Sequence, residues 1–289
     1  MRVVDSHLHL WDPELLEYDW LEGPLDRRFA EEEFLAERLE GIEEETAVFV
    51  QADPVPELSL DEVRWADAIS SPAGVVAIVA GARLDRGTET EQQLAALASF
   101  ERVVGVRHLL QGEPAGFALG EDFLRGAREV SRRGWTFDAC VRADQLGEVA
   151  ALAASVPELP VVLDHLGKPA IGTATDPAAP SETWAEDLRA LGAHPQVFCK
   201  LSGLPAEAGG VWTDAQVRPF LDAALAAFGP RRLMWGSDWP VSSIDADHGV
   251  HAAHSRQRWF RTVAEWAACR GISVDDVFQR NALSFYRIR

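Results

Sequence analysis

Histidines 7 and 9 stand two residues apart in the run Asp5-Ser6-His7-Leu8-His9. On a β-strand, residues i and i+2 project to one side about 7 Å apart. Both imidazoles can therefore converge on one metal ion or one substrate oxygen. A third imidazole stands in Asp164-His165-Leu166-Gly167-Lys168-Pro169, directly after the apolar run Pro160–Leu163, where a strand meets its loop. Asp238 holds the corresponding position in Leu233-Met234-Trp235-Gly236-Ser237-Asp238-Trp239-Pro240. Taken singly, the three histidines read as structural residues and Asp238 as a helix cap. Gathered on one rim, they become nitrogen ligands or carbonyl-polarising groups facing a carboxylate placed as a general base. Asp164 has the opposite strand parity to His165 and is expected to play a structural part or to support the histidines from behind.

Such convergence needs a scaffold that brings strand ends together. Short β-branched runs predict eight strands, at Arg2–His9, Thr46–Gln51, Val75–Leu84, Val103–Leu109, Trp135–Val141, Pro160–His165, Val197–Leu201 and Leu233–Asp238. Helical patterns alternate with them, at Phe29–Glu40, Ser59–Ser70, Thr88–Phe100, Glu121–Arg133, Asp144–Ser155, Ser181–Leu191 and Thr213–Phe228, then His254–Arg270 and Val274–Tyr286. Ser59 with Glu62 matches a capping box, and Ser181 and Thr213 are suited to N-caps. Gly41, Gly134 and Gly192 follow amphipathic runs, where a left-handed residue ends a helix.

A βα rhythm with apolar strands implies a parallel sheet covered on both faces. Eight units favour closure into a (β/α)8 barrel, the TIM-barrel architecture, over an open doubly wound sheet, and no GxGxxG follows an early strand. The 289 residues suit one barrel domain with modest extensions, since such a barrel needs about 250. The loop-like segments Trp11–Arg28, Gly167–Pro180 and Leu204–Val211 each follow a strand end, where a barrel builds its active face.

A formal net charge of −19 disfavours nucleic acid and anionic membranes as partners. No apolar run resembles a signal peptide or a membrane span, so a cytoplasmic protein is expected. The three cysteines, Cys140, Cys199 and Cys269, are widely spaced and unpaired in pattern, which fits reduced thiols.

Other polar residues at strand ends are candidates for substrate contact. Arg83, Arg107, His108, Lys168 and Lys200 place basic groups around the rim, each with a salt bridge as its alternative role. Trp11 and Trp239 can pack on a ring or simply fill a loop. Asp5 shares parity with His7 and His9 and is expected to orient them from deeper in the barrel. His248, His251 and His254 spread over a broad arc if helical, a poor geometry for a second metal site. The acidic groups Glu31–Glu33 and Glu43–Glu45 read as solvated surface.

The set DSHLHLWDP, DHLGKP and GSDWP resembles the amidohydrolase superfamily along nearly the whole chain. Trp11-Asp12, Asp19-Trp20-Leu21, Gly105-Val106-Arg107-His108 and Cys199-Lys200-Leu201-Ser202-Gly203-Leu204 are similar to its lactonase branch, which includes the L-fucono- and L-rhamnonolactone hydrolases and the 2-pyrone-4,6-dicarboxylate lactonase. The resemblance implies ring opening of a lactone by water, with a sugar-acid lactone preferred over a dicarboxylate one. It implies His7, His9 and His165 around the carbonyl and Asp238 as base. The same four residues would hold one divalent metal, zinc by preference, or form a metal-free polar pocket. The carboxylated lysine of two-metal relatives has no clear match, and Lys200 falls in the KLSG segment instead. Decarboxylases of the same superfamily are one rival, and a barrel that only binds a small acid or sugar is another. Association into a homodimer is left open.

Overall fold

A backbone whose strands are apolar on both faces can be solvated on neither. The computed structural model, which describes residues 1–245, 250–251 and 254–288, meets that demand by placing the strands inside a shell of helices. In chain order, β1 (Arg2–Leu8), β2 (Glu44–Val50), β3 (Val75–Gly81), β4 (Val103–Leu109), β5 (Thr136–Cys140), β6 (Val161–Leu163), β7 (Val197–Leu201) and β8 (Leu233–Trp235) form one sheet. Each neighbouring pair is parallel. The ring closes beyond β8, where Leu8 bridges Trp239 and the His9 amide donates to the Trp239 carbonyl at 2.9 Å. The eight-stranded barrel expected from the βα rhythm is therefore present.

The intervening helices are α1 (Glu31–Ala36), α2 (Ser59–Ala73), α3 (Thr88–Leu97), α4 (Glu121–Arg132), α5 (Leu146–Ser155), α6 (Glu182–Gly192), the short α7 (Leu204–Glu207) and α8 (Asp214–Phe228). After β8 come a small hairpin of β9 (Ile244–Asp245) and β10 (Val250–His251), then α9 (Ser255–Cys269) and α10 (Asn281–Tyr286). The core has two layers. Outward-facing residues such as Phe49, Ile78 and Phe137 pack under the helices, whereas Val4, Val48, Val79, Val162 and Met234 fill the interior together with Phe285 and Tyr286 of α10. The last helix thus plugs one end of the barrel, and Asn281 Nδ2 fixes it by donating to the Leu233 carbonyl at 2.7 Å. No helix among the described residues is long and apolar enough to cross a membrane.

Several local expectations fail for identifiable reasons. Helix α1 is shorter than Phe29–Glu40 because Phe29 exchanges two backbone hydrogen bonds with Trp11, while Glu45 and Gln257 capture the amides of Leu39 and Glu40. The final Val274–Tyr286 segment is a π-turn over Asp276–Arg280 followed by α10. Ser181 and Thr213 do cap their helices, accepting from the amides of Trp184 and Gln216. Ser59 does not, since its hydroxyl donates to the Pro56 carbonyl and Glu62 turns inward to accept from the Ala52 amide at 2.8 Å. Gly192 lies within α6 with no left-handed φ; its missing Cβ instead lets the Ala227 backbone approach, since a Cβ there would stand 2.3 Å from the Ala227 carbonyl oxygen. His248 lies outside the described residues, as does the side chain of His251.

Asp5 departs from its expected place. The register of β1 against β2 shifts between Asp5 and Leu8, so parity counted from His7 does not carry through the bulge. The Asp5 carboxylate pairs with Arg256 of α9 at 2.8 Å, and Arg256 also meets Glu45 at 2.5 Å. Its second oxygen accepts from the Ser237 amide at 2.8 Å and the His7 amide at 3.2 Å. Asp5 therefore ties together the backbone leading to His7 and to Asp238, without touching an imidazole.

Glu62 gives this fold a pH signature. Burial pushes its carboxyl up from the ordinary 4.5 to about 8, against the Ala52 amide and Arg107, which pull it down. The folded state then holds a proton that the unfolded chain releases, so stability is full below the unfolded pKa and is lost as pH rises towards 8. Glu62→Gln keeps the acceptor and removes the titration. Its melting temperature minus that of the parent is expected to grow between pH 5 and pH 8.5 in thermal scans; a constant difference would refute this account.

Candidate active site

Two crossing backbone hydrogen bonds set the site. The Asp238 amide donates to the His7 carbonyl at 2.8 Å and the His9 amide to Trp239, which locks the segment after β8 over the end of β1. Asp238 itself adopts a left-handed φ of 55°, and Ser242 Oγ donates to its Oδ2 at 2.7 Å. This leaves Oδ1 facing inward, 3.6 Å from His7 Nε2, 3.5 Å from His9 Nε2 and 3.7 Å from His165 Nε2. The four residues that the sequence singled out do converge.

His165 gets there by an unusual turn. After β6 the chain runs through four consecutive left-handed residues, His165, Leu166, Gly167 and Lys168, which swing the imidazole over the barrel mouth. Gly203 makes room for it, since a Cβ at that position would lie 2.5 Å from His165 Cβ and Cγ. Ser202 Oγ then holds His165 Nδ1 at 2.9 Å.

The hydrogen bonds assign protons. His9 Nδ1 is 2.8 Å from the Val50 carbonyl, which can only accept, so His9 carries its proton there and offers a lone pair at Nε2. His7 Nε2 lies 3.0 Å from that lone pair and must be the donor, leaving His7 Nδ1 to accept from Lys200 Nζ at 2.9 Å. Burial, and after it the Lys200 charge, hold His7 well below the usual histidine range. Burial likewise pushes His165 down to about 4. Burial opposes the charge on Asp238, yet the surrounding histidines, His165, His9 and His7, outweigh it and keep the carboxyl well below its ordinary value. At neutral pH His7 and His165 are thus neutral beside an ionised Asp238.

These donors also suit a metal ion. A tetrahedral site with bonds of about 2.0–2.1 Å puts neighbouring ligand atoms roughly 3.3–3.4 Å apart, close to the 3.0, 3.6 and 3.5 Å among His7, His9 and Asp238, with His165 3.7 Å from Asp238. His9, His165 and Asp238 already have outer partners in Val50, Ser202 and Ser242. His7 would ligate through Nε2 with its proton moved to Nδ1, where Asp164 Oδ1 stands 3.3 Å away.

Lys200 occupies a different place from the one expected. It was expected to meet substrate, but it is fully buried beneath the histidines, 2.5 Å from Asp138 and 3.0 Å from Asp164. Tyr286 Oη donates to Asp138 at 2.8 Å, and Arg107 reaches Asp164 at 3.5 Å. Burial pushes Asp138 up to about 6 despite Lys200, whereas Lys200 and His7 overcome burial at Asp164 and hold it well below its usual range. Two cations and two carboxylates therefore cancel under the site. Trp11 and Trp239 are buried in ring contacts with Phe29 and do not line the cavity.

Above the histidines opens a cavity of about 300 Å³, walled by His9, His165 and Asp238 together with Trp20, Asp53, Arg107, Gln111, Lys168 and Glu207. Arg83 and His108 face a neighbouring cavity of about 220 Å³, and Arg83 is bound to Asp85 and Glu113. Asp53, Gln111, Glu207, Asp138 and Ser202 escaped the sequence reading. For Asp138 a signal existed, a lone acid within the apolar strand Thr136–Cys140. The others sit beyond strand ends, where no periodicity marks direction.

A family model described as amidohydrolase matches residues 4–288. The chain is 32% identical over 292 aligned residues to an L-fucono-1,5-lactonase from Burkholderia ambifaria, covering 99% of this chain and 95% of that one. It is also 32% identical over 266 residues to an L-fucono-1,5-lactonase from Burkholderia multivorans, covering 89% and 88%. Among solved structures, an amidohydrolase from Burkholderia multivorans with bound zinc has a TM-score of 0.80 at 28% identity, with both chains fully covered.

The charge cluster under the site is expected to be strongly coupled. Lys200→Met strands two buried carboxylates and is expected to lower unfolding stability by about 3–5 kcal/mol, read from urea denaturation. Adding Asp138→Asn should recover part of that loss. Additive losses in the double variant would show that Lys200 and Asp138 do not compensate each other.

Proposed function

A match that omits only the first three residues and the last places the chain in the amidohydrolase family, and on that premise we propose that it opens the ring of a sugar-acid lactone with water. The observation carrying the proposal is the convergence of three imidazole Nε2 atoms on Asp238 Oδ1 at the floor of the cavity. The likeness to two L-fucono-1,5-lactonases supports the ring-opening reaction and the sugar-acid class.

In this reading the lactone carbonyl lies against His165, whose Nδ1 accepts from Ser202 and whose Nε2–H stabilises the oxyanion as water attacks. Asp238, ionised and aimed by Ser242, takes the proton from that water. The carboxyl then returns the proton to the ring alkoxide as the C–O bond breaks, so one residue serves both halves of the reaction. His7, His9, His165 and Asp238 would hold a zinc ion, which when bound polarises the carbonyl and acidifies water. Lys200, Asp138 and Asp164 position His7 from below.

The cavity favours a ring without carboxylates. A dicarboxylate needs several free cations, yet Arg107 is the one arginine on the cavity wall among the described residues, and it donates to the Gln51 carbonyl at 2.5 Å as well as pairing with Asp164. Lys168, which gives one donor to the neutral Gln111 at 2.5 Å, keeps its charge but is a single cation where a dicarboxylate needs several.

Acid release from a panel of lactones, followed with a pH indicator, tests the proposal. Asp238→Asn is expected to lower kcat by about 10²–10⁴-fold with an unchanged circular dichroism spectrum; near-normal turnover would remove Asp238 from its role. Chelation with metal analysis of the same sample is expected to abolish turnover, and added zinc to restore it. Full activity in metal-free protein would refute the zinc site and leave the four residues acting alone. Release of CO2 without ring opening would replace hydrolysis by decarboxylation.

A further inference from the structure

Two carboxylates on the cavity wall have no part in the ring-opening chemistry. Asp53 follows β2 and Glu207 ends α7, just after β7. In the closed strand order, β2 and β7 are the strands on either side of β1 and β8, which carry His9 and Asp238 at their ends. Asp53 and Glu207 therefore flank the reacting centre. Among the described residues, neither carboxylate forms an ion pair or accepts a hydrogen bond.

Asp53 is held in place by its backbone. It has a left-handed φ of 61°, and its amide donates to Gln51 Oε1 at 2.5 Å. A non-glycine residue stays in that conformation only when its surroundings impose it. The result is a carboxylate in the wall common to the catalytic cavity and its smaller neighbour. The cations nearest the substrate space, Arg107 and Lys168, are engaged by Asp164 and Gln111. Asp53, Glu207 and Asp238 thus outnumber the cations of the wall, Arg107 and Lys168, of which Arg107 is already paired with Asp164.

We propose that Asp53 and Glu207 determine specificity: they accept hydrogen bonds from hydroxyl groups of the lactone and exclude rings that bear a carboxylate or sulfonate. A hydroxyl donating to an ionised acceptor makes a charge-assisted bond. Both carboxylates are exposed at the cavity mouth, so an anionic substituent entering there would instead meet like charge. This inference rests on the sugar-lactone reading above, and the test is arranged so that the two can fail separately.

Binding is measured by calorimetry in an Asp238→Asn background, where turnover does not interfere. The probes are L-fucono-1,5-lactone and a carboxymethyl-substituted butenolide. Asp53→Asn and Glu207→Gln are each expected to weaken the sugar lactone by about tenfold, the loss of one charge-assisted bond. The double variant is expected to bind the carboxylated lactone about tenfold more tightly than the background does, with the gain shrinking at high salt. Matching melting temperatures confirm that folding is unaffected. Unchanged affinities in both single variants, or a background protein that prefers the carboxylated ring, would overturn the assignment. If the unsubstituted protein releases no acid from any lactone, hydrolysis fails as a function, and the binding data still decide the roles of Asp53 and Glu207.

Discussion

An ammonium group with no exposure at all must be neutralised where it lies, and the centre of this barrel is organised around that requirement. Lys200 draws in Asp138 from β5, Asp164 from the end of β6 and His7 from β1. Asp138 in turn takes the Tyr286 hydroxyl from the plugging helix, and Asp164 takes Arg107 from β4. Removing the charge from any one member would leave another buried and unmatched, which is far more costly than losing an exposed pair. The cluster therefore fixes the relative positions of six elements, and His7 is one of its terminals. Chemistry at the barrel mouth inherits its geometry from an electrostatic constraint below.

A second tie acts from outside. Arg256 of α9 is buried against Asp5 and Glu45, and the Asp5 carboxylate in turn gathers the amides of His7 and Ser237. Barrel closure between the first and last strands is thus secured by a charged group in the helical layer as well as by backbone hydrogen bonds. His7 stands between the two networks, its side chain bound to the inner one and its amide to the outer.

The barrel was legible because its signals are periodic: apolar runs, helix caps and intervening amphipathic patterns repeat along the chain. The quartet of His7, His9, His165 and Asp238 was legible because its members sit at strand ends within motifs. What the residues concealed depended on direction. A bulge in β1 turned Asp5 towards α9, although simple alternation pointed it inward with His7. Lys200 looked like a rim cation, yet its strand runs deep enough to bury it among acids that lie 62 and 36 positions away in sequence. Trp11 and Trp239 had the right chemistry for stacking on a ring, but Phe29 holds both in the loop layer. Asp53 and Glu207 lie in segments without regular alternation, so nothing local says which way they face.

Backbone strain marks the same boundary between scaffold and site. Of the seven non-glycine residues with left-handed φ among the described residues, Asp53, His165, Lys168 and Asp238 line the cavity. Such conformations are disfavoured and persist only where surrounding contacts over-determine them. Here those contacts are the Gln51 side chain for Asp53, Ser202 and the bare face of Gly203 for His165, and the His7 carbonyl with Ser242 for Asp238. Each of these supports is itself buried in the barrel. Rigid strands thus hold the loop residues in positions that free loops would abandon, which is how a surface opening can keep three imidazoles and a carboxylate in register.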